Sequence, residues 1–154
     1  MKEIKVLLVD DEEDFVRTLA ERLQLRGEQL GPDVALDGET ALRTVEKGVP
    51  DVMVLDLRMP GIDGLEVLKR TKENYPEVQV IILTGHGSEK DEEEARRLGA
   101  YDYLQKPVAI DRLVETIRKA FQYKSKFEKS MVAGAFAEAG EFNEARHVMD
   151  DKES

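Results

Sequence analysis

The sequence predicts an α/β fold in which a five-stranded parallel sheet is doubly wound, with helices on both faces. Three observations lead to it: short apolar runs recur along the chain, segments of helical period separate them, and polar residues stand where the runs end. Runs of about 4 to 8 apolar residues read as buried strands, and apolar spacing near about 3.6 residues reads as a helix with one face to the core. Strand and helix in alternation imply parallel strands joined by right-handed crossovers, because an antiparallel return would need only a tight turn.

Taken in order, the first strand is read in Ile4 to Val9, and Phe15, Val16, Leu19, Ala20 and Leu23 then mark one face of a helix. Val34 to Leu36 reads as the second strand, followed by a helix carrying Ala41, Leu42 and Val45. Val52 to Leu55 is the third strand, and Leu65 and Leu68 open the helix after it. Val78 to Leu83 is the fourth strand; the helix between Glu89 and Leu98 is weakly amphipathic, since Glu92, Glu93 and Glu94 leave Ala95 and Leu98 to bury, and it is expected to be mobile. Tyr101 to Leu104 is the fifth strand, and Ile110, Leu113, Val114, Ile117 and Phe121 line the last helix. Gly27, Gly31-Pro32, Asp37-Gly38, Gly48 with Pro50, Pro60-Gly61, Pro76 and Gly99 are placed between elements as breakers.

A chain of 154 residues holds one ordinary domain and a short appendage. After Phe121 the pattern changes to Lys124-Ser125-Lys126, an alanine-rich stretch from Ala133 to Met149 and a charged end, so residues 1–123 are read as the domain and residues 124–154 as a helical tail. With 41% hydrophobic and 36% charged residues the composition is that of a folded globular chain. No apolar run approaches the roughly 18 residues of a membrane span, and Ile4 to Val9 is too short and too soon acidic for a signal peptide, so a cytoplasmic protein is expected. The absence of cysteine excludes disulfides, thiolate metal sites and cysteine nucleophiles. A net charge of −10 argues against nonspecific nucleic-acid binding, which needs cationic side chains to displace counterions.

The chemistry-bearing residues fall at the ends of the predicted strands: Asp10 and Asp11 after the first, Asp56 after the third, Thr84 after the fourth and Lys106 after the fifth. Open parallel sheets bind ligands outside the carboxyl ends of their strands. Three aspartates brought together there repel one another and call for a cation, and an all-oxygen donor set favours Mg2+. A carboxylate nucleophile, a hard metal, a lysine and a hydroxyl are the parts of in-line phosphoryl transfer, with Asp56 as the acceptor.

Val9-Asp10-Asp11, the segment Leu55-Asp56-Leu57-Arg58-Met59-Pro60-Gly61, Leu83-Thr84-Gly85-His86 and Lys106-Pro107 together resemble a response-regulator receiver domain over roughly residues 1 to 123. The resemblance implies the flavodoxin-like receiver topology, with strand order 2-1-3-4-5. It further implies that Asp11 and Asp56 ligate Mg2+ directly, Asp10 mostly through water and Arg58 through its main-chain carbonyl, while Thr84 and Lys106 bind phosphoryl oxygens. The Lys106-Pro107 bond is expected to be cis, and Tyr103 matches the aromatic that turns inward when the threonine moves toward the phosphoryl group. The readout is then the surface of the fourth helix, fifth strand and fifth helix. The chain departs from the pattern around Glu28 to Leu36, where the second strand region is about two residues longer than usual.

Taken singly these residues carry little: an Asp-Asp pair after a strand also suits a helix N-terminus, and Tyr103 also reads as a core aromatic. His86 reads as an exposed loop histidine, and the acidic run Asp91 to Glu94 as a solvated helix face. A metal-dependent phosphatase with an aspartate nucleophile would carry Asp-x-Asp, whereas Asp56 is followed by Leu57 and Arg58; a flavin binder would not place Asp10-Asp11-Glu12-Glu13 where a phosphate must sit. The expectation is a two-component response regulator without a DNA-binding output domain, a switch rather than an enzyme. Its partners are a sensor histidine kinase or phosphotransfer protein and an unknown downstream protein, with homodimerisation as one option. In the tail, Ala135 to Ala145 resembles the turn between the helices of a tetratricopeptide repeat, with Gly140 at the turn.

Overall fold

The computed structural model describes residues 3–26 and 29–136, excepting the side chains of residues 127 and 129–136. Elements alternate along the chain as β1 (Ile4–Val9), α1 (Glu13–Arg26), β2 (Leu30–Ala35), α2 (Gly38–Lys47), β3 (Val52–Leu55), α3 (Gly64–Asn74), β4 (Gln79–Thr84), α4 (Glu89–Arg97), β5 (Asp102–Gln105) and α5 (Ile110–Phe136). The strands form one parallel sheet in the order β2-β1-β3-β4-β5, so the chain reverses its winding direction between β1 and β3.

Side chains on a strand alternate between faces, and this period of about two residues divides the core. Leu7, Val9, Met53, Leu55, Val80 and Ile82 point to the face covered by α2, α3 and α4, where they meet Ala41, Val45, Val67, Leu68 and Ala95. Ile4, Val6, Leu8, Val52, Val54, Ile81 and Leu83 point the other way, onto Val16, Leu19 and Leu23 of α1 and Leu113, Ile117 and Ala120 of α5. Every residue of β3 and β4 is buried, as expected of central strands covered on both sides.

Four elements differ in their bounds from the sequence reading. β2 begins at Leu30 rather than Val34, and Gly31-Pro32, expected between elements, lies inside it, with Pro32 opposite Val6. An edge strand tolerates proline because one row of its backbone groups has no partner strand, and only the ends of β2 are fully buried, so its apolar signal is faint. β4 and β5 sit one residue later than their apolar runs. α5 continues without a break through residues 123 and 124 to Phe136, so the change of composition after Phe121 does not end the helix. The turn proposed around Gly140 lies outside the described residues.

Candidate functional site

The site is assembled by backbone pairing that persists one residue past each strand. The Asp10 amide donates to the Ala35 carbonyl at 3.1 Å, the Asp56 amide to Val9 at 3.0 Å, and the Lys106 amide to Thr84 at 3.0 Å. These bonds hold the three residues at the carboxyl edge of the sheet, beside the point where strand order reverses, which is where doubly wound sheets bind ligands. The loop after Asp56 is drawn back onto the sheet by the Gly64 amide, which donates to the Leu57 carbonyl at 3.0 Å. A Cβ on Gly64 would overlap the Asp56 carbonyl, so glycine is what lets α3 start this close to the acceptor residue.

Asp10, Asp11 and Asp56 bring one carboxylate oxygen each to within 4.8 Å of one another; Asp10 and Asp56 are buried and Asp11 is exposed. The Lys106 ammonium donates to Asp10 Oδ2 at 2.7 Å and lies 3.7 Å from both Asp56 Oδ2 and Glu12 Oε1. Burial raises the Asp10 carboxyl above its ordinary value, with the neighbouring Asp56 charge adding to it; the hydrogen bond from Lys106 and the Glu12 amide pull the other way without cancelling it. Burial pushes Lys106 down, but its hydrogen bond to Asp10 and the charges of Asp10, Asp56 and Glu12 outweigh that and leave it raised, so it stays a cation. Two buried carboxylates and an exposed one, with oxygen donors alone, fit a hard divalent cation, whose charge would relieve the cost of burying Asp10 ionised.

Thr84 ends β4 fully buried, and its hydroxyl accepts from the His86 amide at 3.4 Å. Arg58 lies in the loop after Asp56: its amide approaches Asp56 Oδ1 at 3.3 Å, and its guanidinium reaches across to Asp91 Oδ2 at 2.7 Å. Asp91 also closes a reciprocal capping box with Ser88 at the start of α4. The Tyr103 ring is turned into the core and its hydroxyl is buried. It occupies the space a Cβ on Gly87 would need. The Lys106-Pro107 peptide is cis.

The structure thus brings Asp10, Asp11, Asp56 and Lys106 together and sets Thr84 at the adjoining strand end. Arg58 and Tyr103 flank this group, on the loop after Asp56 and on β5. Sequence reasoning missed Glu12 as a neighbour of Lys106, and it took Asp91 for part of a solvated face. The pattern Ser88-Glu89-Lys90-Asp91 is a capping-box signature and would have separated Asp91 from the glutamates after it. Phe15 was read only as a core position, and no local signal places it against Lys106.

Comparison with known proteins agrees with this geometry. The family model described as response regulator receiver domain matches residues 6–118. The C4-dicarboxylate transport transcriptional regulatory protein DctD of Pseudomonas aeruginosa is 39% identical over 121 residues, covering 78% of this chain and 26% of DctD. The transcriptional regulatory protein TrcR of Mycobacterium tuberculosis is 36% identical over 126 residues, covering 82% of this chain and 48% of TrcR. The chain therefore spans between about a quarter and a half of the length of these relatives. Among solved structures, a response regulator receiver domain protein from Clostridium thermocellum superposes with a TM-score of 0.75 at 31% identity, covering 80% of this chain and 98% of that one. A CheY-like receiver domain protein from Methanospirillum hungatei shares the fold with a TM-score of 0.77 at 23% identity, covering 81% of this chain and 98% of that one. A family match that runs from within β1 into α5, across every strand end that carries a site residue, means that the chain belongs to the response regulator receiver domain family of two-component systems.

Proposed function

We propose that this receiver domain is a phosphoacceptor switch in which a sensor histidine kinase or phosphotransfer protein donates a phosphoryl group to Asp56. The observation that carries the reading is the Lys106 ammonium standing between Asp10 and Asp56 at the edge of a three-carboxylate cluster. A phosphoryl group needs a nucleophile and fixed positive charge aimed at its equatorial oxygens. Asp10, Asp11 and Asp56, with the Arg58 carbonyl, would hold Mg2+, which when bound supplies positive charge to an otherwise anionic site.

The rest of the chemistry belongs to the chain. An Asp56 carboxylate oxygen forms the new bond to phosphorus as the donor's bond to phosphorus breaks, and the electron pair leaves with the donor. Lys106, kept cationic by its carboxylate neighbours, then faces the phosphoryl oxygens together with the Thr84 hydroxyl. Burial of Asp56 at 4% exposure limits access of water to the acyl phosphate. Movement of Thr84 is read out through Tyr103 on the α4-β5-α5 surface, which engages a downstream protein or a second copy of the chain. On this reading the receiver acts in the cytoplasm through protein contacts, and the residues from 124 onward, the first of which continue α5, are dispensable for phosphoryl uptake.

The test is labelling with acetyl phosphate and Mg2+. Wild-type protein is expected to take up one phosphoryl group that base and neutral hydroxylamine remove, as they do an acyl phosphate, and Asp56→Asn to take up none. Substantial specific labelling of the Asp56→Asn protein overturns the assignment.

A further inference from the structure

The surroundings of the Lys106 ammonium are uneven. It has three N–H donors, yet among the described residues one neighbour alone, Asp10 Oδ2, lies at short hydrogen-bond distance; Asp56 Oδ2 and Glu12 Oε1 are both at 3.7 Å. The fourth neighbour is apolar: the ammonium sits over the Phe15 ring, 4.3 Å from its centroid. That is well within the roughly 6 Å over which a ring quadrupole attracts a cation. The lysine side chain is only 14% exposed, so water screens the attraction little. Phe15 itself is held by the first turn of α1, half-buried against the cluster that also takes Val16 and Leu19.

We infer that Phe15 is a positioning residue for Lys106. A lysine has a flexible stem and a point charge, and its bond to Asp10 alone would leave it free to turn about that contact. The ring face restricts this freedom and keeps the ammonium beside Asp56. The inference rests on the proposal that Asp56 accepts the phosphoryl group. With acetyl phosphate as donor, the phosphorus–oxygen bond to acetate breaks, its electron pair leaves on acetate, and an Asp56 oxygen bonds to phosphorus; no proton moves and nothing is oxidised. An ammonium held in place meets the transferring group without first having to be ordered.

The experiment compares Phe15→Leu, which keeps an apolar side chain but lacks a ring, with Phe15→Tyr, which keeps the ring, each checked for an unchanged melting temperature; Phe15→Met replaces Phe15→Leu if the latter is unstable. Initial labelling by acetyl phosphate is expected to slow by about 3- to 10-fold in Phe15→Leu and to stay near wild type in Phe15→Tyr. In a Lys106→Met background the Phe15→Leu change is expected to have no further effect, because the pair acts as a unit. Independently of Mg2+ and donor, the Lys106 ε-methylene protons are expected to show an upfield ring-current shift in wild type and Phe15→Tyr that Phe15→Leu lacks. Labelling of Phe15→Leu at the wild-type rate, the same fold-loss in the Lys106→Met background, or the absence of the ring-current shift overturns the inference. Failure of wild-type protein to be labelled at Asp56 would instead overturn the underlying function, with the proton shift still deciding the contact.

Discussion

At Tyr103 a phenol is buried with its hydroxyl unpartnered among the described residues. Leaving such a group without a hydrogen bond costs about 1 to 3 kcal/mol. Burial holds its pKa above the usual value and the charges of Asp91 and Glu92 reinforce this, so the hydroxyl keeps its proton. Tyr103→Phe is therefore expected to raise stability by about 1 kcal/mol, read from the urea midpoint at unchanged slope; a loss of stability would show that the hydroxyl is bonded in solution. The side chains that carry the proposed chemistry were legible as a set rather than singly, because Asp10, Asp11, Asp56, Thr84 and Lys106 all stand at the ends of recognisable strands. Gly87 was not: a loop glycine looks like any other until a tyrosine from a different strand is found in the space its side chain would fill.

On the scale of single elements, α4 depends on its first turn more than on its core. Ala95 is its one fully buried residue, as the acidic run implies, so the Ser88 capping box and the Arg58–Asp91 ion pair carry a large share of its order. Ser88→Ala is expected to cost about 1 kcal/mol, seen as faster amide exchange through the first turns of α4. The Ser88 amide bonded to Asp91 holds that carboxyl below its ordinary value of 3.8; burial opposes the shift, and the Ser88 hydroxyl and Arg58 add to it. A depressed carboxyl contributes fully above 3.8 and loses its contribution as pH falls through the lowered value. Exchange in α4 is expected to accelerate over that acidic window in wild type, and Asp91→Asn is expected to lack the step. The same ion pair connects the loop behind Asp56 to the helix that the proposed mechanism uses for output.

For the molecule as a whole, α5 is fastened at the edge of the sheet opposite the site. Asp51, buried at the start of β3, accepts from the Lys5 amide at 2.9 Å and pairs with Lys124 at 3.0 Å, and Lys124 also meets Glu128 at 2.9 Å. The Tyr123 ring of α5 also packs on that of Tyr101, the residue before β5, with ring centroids 5.6 Å apart. Burial pushes Lys124 down, but its hydrogen bonds to Glu128 and Asp51 outweigh that and leave it raised above 10.5. Its contribution is therefore complete below 10.5 and lost as pH rises through the raised value. Lys124→Met is expected to destabilise the protein by about 2 kcal/mol at neutral pH, through the carboxylate left with a single partner. It is also expected to speed amide exchange from residue 124 onward; equal stability of the two proteins would show that the helix is held by its apolar face alone. Lys124 in the sequence reads as the first residue of a helical tail, because nothing local connects it to an aspartate just ahead of a distant strand.

The sequence by itself determined the fold class, the order of elements and the residues that could do chemistry, since these depend on periodicities and breakers within a few residues of one another. Tertiary structure decided the pairings between distant segments: Phe15 beneath Lys106, Asp91 joined to Arg58, Tyr103 against Gly87 and Lys124 on Asp51. It also decided that Gly31-Pro32 belongs to a strand and that α5 runs on past residue 123, where local preference for a turn or a tail gives way to an edge position in a sheet and to a buried ion pair. Contacts of this kind are set by how layers stack around the core, and no stretch of chain records them on its own.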